Sequence, residues 1–238
     1  MSDHGALTLE VFADVGCPFA HLGLLAVVEQ CNQRQREVVL RVRSWPLELV
    51  NGKPLDAHFI AEEVDEIRPQ VAPDKFRNFT AEAFPDSTLP AMELTAAAYA
   101  VDDHTGQAVA LAVRHALFEQ GLNVGDPDVL AGIAADHNVS WPAHTPAGSS
   151  PQTGSSSGAG PSSGAAPSTQ GVSPAQQVRN DWAEGVRRGV VGSPHFFSSD
   201  GGYFCPALNV SRDSAGHLQV SADRDVLTGF INELIGDS

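Results

Sequence analysis

The chain has 238 residues, 42% of them hydrophobic, enough for a core organised as one domain with an insertion or as two small ones. A formal charge of -15, with no basic cluster longer than a pair such as Arg187-Arg188, argues against phosphate-bearing partners, so no nucleic-acid partner is expected. No apolar run reaches the roughly 20 residues of a membrane span, and three cysteines are too few and too odd in number for a disulfide scaffold.

In chain order, "LTLEVFADV" from Leu7 is a β-branched and aromatic run of strand length. "PFAHLGLLAVVEQC" then places apolar residues at helical spacing, so Cys17 stands where a strand runs into a helix. A helix from Pro18 through Cys31 would hold Cys17 and Cys31 about 20 Å apart, beyond the reach of a disulfide, which needs Cα atoms within about 7 Å. "EVVLRVRSWPLEL" (Glu37 to Leu49) reads as a second strand, giving a βαβ unit, and "VNGKPLD" as a turn-rich exit.

From residue 55 to 144 helical patterns replace strands, which predicts an all-helical insertion between a first part, 1–54, and a second part, 174–238. Asp56 and Asp126 are placed to cap helices, and Gly121 to stop one. Residues 145–173 hold no charged or aromatic residue and read as a disordered Ser/Gly/Pro/Ala loop that spans two ordered segments. "SPAQQVRNDWAEGVRRG" is a helix opened by Ser173-Pro174 and closed by Gly189. A hairpin follows around Asp200-Gly201-Gly202, then another turn and a closing helix from about Ala222 to Ile235. The order is βαβ, a helical block, then αββα.

This order, with a cysteine opening the first helix and Ser193-Pro194 opening the third strand, resembles the thioredoxin fold of DsbA-like oxidoreductases, an α/β fold with an inserted all-helical domain. The motifs that carry the resemblance are "VFADVGCPFAHLG", "SWPLELVNGKP" and "GVVGSPHFF". The family's C-x-x-C has become Cys17-Pro18-Phe19-Ala20, so the second thiol of that motif is missing. Related proteins that also lack it include the glutathione-dependent 2-hydroxychromene-2-carboxylate isomerases, where a Ser or Cys at this position engages the thiol cofactor. The resemblance implies a cis bond at Ser193-Pro194 facing the cysteine and binding a substrate's main chain, with Pro18, Phe19, Trp45, Leu47 and Asn51 lining the cleft. Core packing is the competing role for Trp45 and Leu47.

A thiol at a helix N-terminus faces unpaired N–H groups and the positive end of the helix dipole, so Cys17 is expected to have a lowered pKa and to act as the nucleophile. His21, four residues on, falls on the same helical face and is a candidate to pair with the thiolate. Asp14 reads as a structural carboxylate at a strand end. Cys205, placed by register near Phe196, is a candidate resolving thiol or an apolar filler. No Cys/His cluster has zinc spacing, so no metal is expected.

The expected activity is thiol–disulfide oxidoreduction through one cysteine on a small-molecule or protein disulfide, with no tightly bound cofactor and with glutathione or mycothiol as co-substrate. The alternatives are a thiol-dependent isomerase or transferase and a non-catalytic binding protein. The N-terminus lacks the basic start of a signal peptide, so a cytoplasmic location is expected.

Overall fold

The computed structural model describes residues 7–141, 172–198 and 201–235. Strand β1 (Leu7–Ala13) leads into helix α1 (Pro18–Gln33), which returns to β2 (Val38–Ser44), parallel to β1 with Leu9 opposite Leu40. The second strand stops earlier than expected. Pro46 cannot donate to a ladder, and it caps a short helix α2 (Leu47–Asn51), where the sequence reading had placed a strand end and a turn.

Helices α3 (Ala57–Val71), α4 (Leu89–Tyr99), α5 (Asp103–Phe118) and α6 (Pro127–Asp136) follow. The apolar pattern from Leu89 to Gly121 is two helices, because the Asp102 side chain accepts the Thr105 N–H at 2.8 Å and starts α5 afresh. Asp56 and Asp126 cap α3 and α6 as expected, and Gly121 takes a φ of +68° beyond α5. The predicted loop at 145–173 lies outside the described residues except for Val172 and Ser173.

Helix α7 (Pro174–Arg188), capped by Ser173 and ended by left-handed Gly189, leads to strands β3 (His195–Phe197) and β4 (Gly202–Phe204). These complete a sheet in the order β2-β1-β3-β4, with β3 antiparallel to β1 and to β4. A second hairpin, β5 (Leu208–Arg212) and β6 (Leu218–Ala222), precedes α8 (Arg224–Ile235). The sequence reading had treated this hairpin as a turn. Its strands are short and largely exposed, so their apolar signal is weak.

The period of two along β1 divides its side chains between two faces. Leu9, Val11 and Ala13 join Leu24, Val27 and the apolar faces of the inserted helices in the main core. Phe12 turns the other way, into a small cluster with Trp45 and Val190 beneath α7. Gly185 makes that approach possible, since a Cβ there would stand 2.6 Å from the Trp45 ring.

Side chains of the helices cover strand edges that would otherwise be unpaired. The Tyr99 hydroxyl donates to Leu40 O at 2.6 Å and accepts the Val42 N–H at 2.8 Å, while Asp181 accepts the Ser44 N–H at 3.1 Å. On β6, Glu66 accepts the Leu218 N–H at 2.7 Å and Gln70 the Val220 N–H at 2.9 Å. The inserted helices are thereby hydrogen-bonded to both sheets.

Candidate active site

Cys17 occupies the N-cap of α1 with extended backbone (φ -88°, ψ 114°), and its side chain caps nothing. Its Sγ–H donates to the Ser193 carbonyl at 3.1 Å instead. The Ser193–Pro194 peptide bond is cis. Helix α1 packs directly on this proline because Gly23 has no side chain: a Cβ there would lie 3.1 Å from Pro194 Cγ. Gly16 is equally confined, since a Cβ would meet Phe84 at 2.8 Å and Leu55 at 3.0 Å, both supplied by the inserted segment.

The thiol is 5% exposed. Burial pushes its pKa up to about 12, and the charges of Asp14 and Cys205 act in the same direction; the Ser193 side chain and the Ala20 N–H oppose them. This corrects the expectation of a lowered pKa. A favourable helix end is worth at most about 2 kcal/mol, or roughly 1.5 pKa units, whereas complete burial shifts a group by up to about 3–5 units. The larger effect sets the resting state, and Cys17 is a protonated, hydrogen-bonded thiol.

Asp14 is fully buried and serves as a staple. Its Oδ1 accepts the Gly16 N–H and its Oδ2 the Leu47 N–H, both at 2.7 Å, while its own N–H donates to Ser193 Oγ at 2.9 Å. One residue thus ties β1, the start of α2 and the Ser193 loop around the thiol. Behind it, Arg114 of α5 is 1% exposed and donates to Asp14 O at 3.2 Å and Ala110 O at 2.7 Å; its Nε has no hydrogen-bond partner among the described residues. Burial lowers the Arg114 pKa and raises that of Asp14, while the attraction between the two groups works against both shifts.

His21 does not pair with the thiol. Its Nε2 lies 2.9 Å from Glu119 Oε1, its ring meets Phe76 edge-on and lies tilted against Phe118, and burial lowers its pKa. The side chain takes this buried partner from α5's end rather than the one a helical turn away. Of the two roles the sequence left open for Trp45, cleft lining and core packing, the structure shows packing: the ring lies edge-on to Phe12 in the cluster under α7. Leu47 is half-buried against both clusters, and Asn51 is exposed at the end of α2. Pro18 is buried in the first turn of α1, and Phe19 is half-buried against the main core.

Cys205 stands opposite Pro194, two residues beyond Tyr203, which faces Phe196. The register His195↔Phe204 continues so that the Cys205 N–H donates to Pro194 O at 3.0 Å. Burial pushes its thiol up to about 11. Cys17, Cys31 and Cys205 are all free thiols.

Among the described residues, no group of three or more His, Cys, Asp or Glu is arranged to hold a metal, and no helix is long and apolar enough to cross a membrane. Sequence reasoning missed Gly23, Arg114 and Glu119. The first two carried a signal, a glycine and an arginine inside otherwise apolar helical runs.

No protein-family model and no curated protein matches the chain. Solved structures do. A protein of Nitrosomonas europaea described as a candidate protein disulfide isomerase aligns with a TM-score of 0.61 and 14% identity, covering 98% of each chain. The cytosolic disulfide reductase DsbM of Pseudomonas aeruginosa aligns at 0.52 and 15%, over 98% of this chain and 100% of that one, and has also been solved with GSH. A 2-hydroxychromene-2-carboxylate isomerase aligns at 0.51 and 11%, over 83% and 88%. At these identities the likeness concerns the fold, and the fold of this chain is the DsbA-like thioredoxin fold with inserted helices.

Proposed function

We propose that the chain is a thiol–disulfide oxidoreductase that attacks a small-molecule or protein disulfide through Cys17, with a low-molecular-weight thiol such as glutathione or mycothiol completing the exchange. The observation that carries this reading is the Cys17 thiol at the start of α1, hydrogen-bonded to the carbonyl that precedes Pro194. The fold shared with DsbM, solved with GSH, supports a thiol partner. A cytoplasmic location, where thiols stay reduced, fits three free cysteines.

A thiol held near pKa 12 attacks only after losing its proton. In the free protein the Ser193 carbonyl accepts the thiol hydrogen and so favours the neutral form. A substrate N–H that pairs with this carbonyl removes that acceptor, leaving the Ser193 side chain and the Ala20 N–H, both of which favour the thiolate. Substrate binding and thiol activation are then one event. The Cys17 thiolate attacks the disulfide, forming a mixed disulfide and releasing one substrate thiol; the co-substrate thiolate then attacks the substrate sulfur of that mixed disulfide, so that Cys17 leaves as thiolate, takes up a proton and is restored, and the fragment departs as a disulfide with the co-substrate.

Turnover of a small disulfide by added glutathione or mycothiol tests this. Wild type is expected to turn over and Cys17→Ala to fall to the uncatalysed rate; equal rates would overturn the reading. The donating state of Cys17 is also compatible with a second reading, in which the S–H holds a bound cofactor thiolate for isomerase or transferase chemistry. A thiol-dependent spectral change of an aromatic enone, without disulfide turnover, would select it.

A further inference from the structure

Cys205 follows directly after β4 in a conformation that cysteine rarely takes. Its φ is +47°, left-handed backbone in which a Cβ is unfavourable and glycine is the usual residue. The turn is pinned on both sides, with the Cys205 N–H on Pro194 O at 3.0 Å and the Leu208 N–H on Cys205 O at 3.1 Å. The residue before Pro194 is the one whose carbonyl accepts the Cys17 thiol, at 3.1 Å. The two cysteines therefore flank the same Ser193-Pro194 dipeptide. Both thiols are buried, and charge on the Cys205 sulfur acts on Cys17.

An apolar filler requires none of this. Alanine would fill the space as an apolar side chain, and glycine would relieve the backbone. A residue kept in a sparsely populated conformation next to a reactive group is where a functional constraint is expected. Cys31 offers no competing partner, since it lies at the far end of α1, roughly 20 Å from Cys17 along the helix.

We infer that Cys205 is the resolving thiol of this site, replacing across the Ser193-Pro194 loop the second cysteine absent from the Cys17-Pro18-Phe19-Ala20 motif. The inference rests on the proposed exchange at Cys17 and adds a step to it. After Cys17 has formed a mixed disulfide with a substrate fragment RS, the Cys205 thiolate attacks the Cys17 sulfur. The new Cys17–Cys205 bond forms, the Cys17–SR bond breaks, and RS leaves with the electron pair and takes up the proton that Cys205 gave to water. Two equivalents of the low-molecular-weight thiol then reduce the internal disulfide and leave as their own disulfide. The sum is reduction of the substrate disulfide to two thiols and oxidation of two co-substrate thiols, so atoms and electrons balance.

The test uses the full chain carrying Cys31→Ser, reduced, freed of reductant and treated with glutathione disulfide, then acid-quenched for intact mass and peptide mapping. The expected product is an internal Cys17–Cys205 disulfide with no lasting glutathione adduct. The same chain with Cys205→Ser is expected to accumulate one glutathione on Cys17. A lasting Cys17 adduct in the Cys205-containing chain, with Cys205 still alkylatable, overturns the resolving role while leaving exchange at Cys17 standing. Absence of any disulfide at Cys17 in both chains overturns both. Since the decisive readout is made with Cys205 in place, the test does not depend on how well the Cys205→Ser chain folds.

Discussion

In a chain carrying Cys31→Ser and Cys205→Ser, so that one thiol reports, the rate of Cys17 alkylation against pH distinguishes a stored thiol from an activated one. With a pKa of about 12, the thiolate fraction at pH 7.5 is on the order of 10⁻⁴ to 10⁻⁵, against about one in ten for an unperturbed thiol of pKa 8.5. The population term alone slows the reaction by about 3,000-fold. A more basic thiolate is intrinsically more nucleophilic, with a Brønsted coefficient of about 0.4–0.5, which restores roughly 30-fold to 60-fold. The remainder, about 50-fold to 100-fold slower than free cysteine, is a lower bound on the retardation, because burial also hinders approach. The rate should rise about tenfold per pH unit from pH 7 to 10 without levelling off. A plateau between pH 6 and 9, or reaction as fast as free cysteine at pH 7.5, would refute the argument that burial outweighs the helix end.

Three further outcomes follow from the packing. Glu63 is raised to about 7 because burial outweighs the attraction of Arg212, whose Nη2 lies 2.9 Å away. The folded state thus keeps a proton that the unfolded chain releases near 4.5, so stability from this group is present below 4.5 and lost as pH rises through 7, by about 3 kcal/mol at about 1.36 kcal/mol per unit. Urea unfolding at pH 4.5 and 8 should show this difference in wild type relative to Glu63→Gln; parallel pH dependences would contradict it. Gly185→Ala, whose Cβ would meet the Trp45 ring at 2.6 Å, should destabilise by about 1–3 kcal/mol, and an unchanged denaturation midpoint would show that α7 shifts freely. His21→Gln should leave the Cys17 alkylation profile unchanged within about twofold, since the ring engages Glu119. A shifted profile would mean that His21 acts on the thiol after all.

The main elements were legible in the sequence because each carries a local signal: the alternation of β1, the helical spacing after Cys17, the aspartate caps at 56 and 126, and the glycines at 121 and 189. The candidate site was legible in part. Cys17 and Ser193-Pro194 meet across the fold, as the motifs imply. Cys17's ionisation was not legible, because helix position is local whereas burial depends on distant residues such as Phe84 and Leu55 closing over Gly16. His21 was misassigned for the same reason: spacing along α1 suggests a partner at Cys17, but Glu119 and two aromatic rings arrive from elsewhere in the chain. Cys205 was legible only to within two residues, because the exact hairpin register fixes which residue faces Pro194, and composition around Gly201-Gly202 does not specify it.

The most direct measurement is to quench the chain with acid during turnover of a small disulfide and map which sulfur is in disulfide linkage. The account expects Cys17 to be found linked, to a substrate fragment, to the co-substrate thiol or to Cys205. Linkage found only at Cys31 or Cys205, or turnover with Cys17 never in a disulfide, would contradict it.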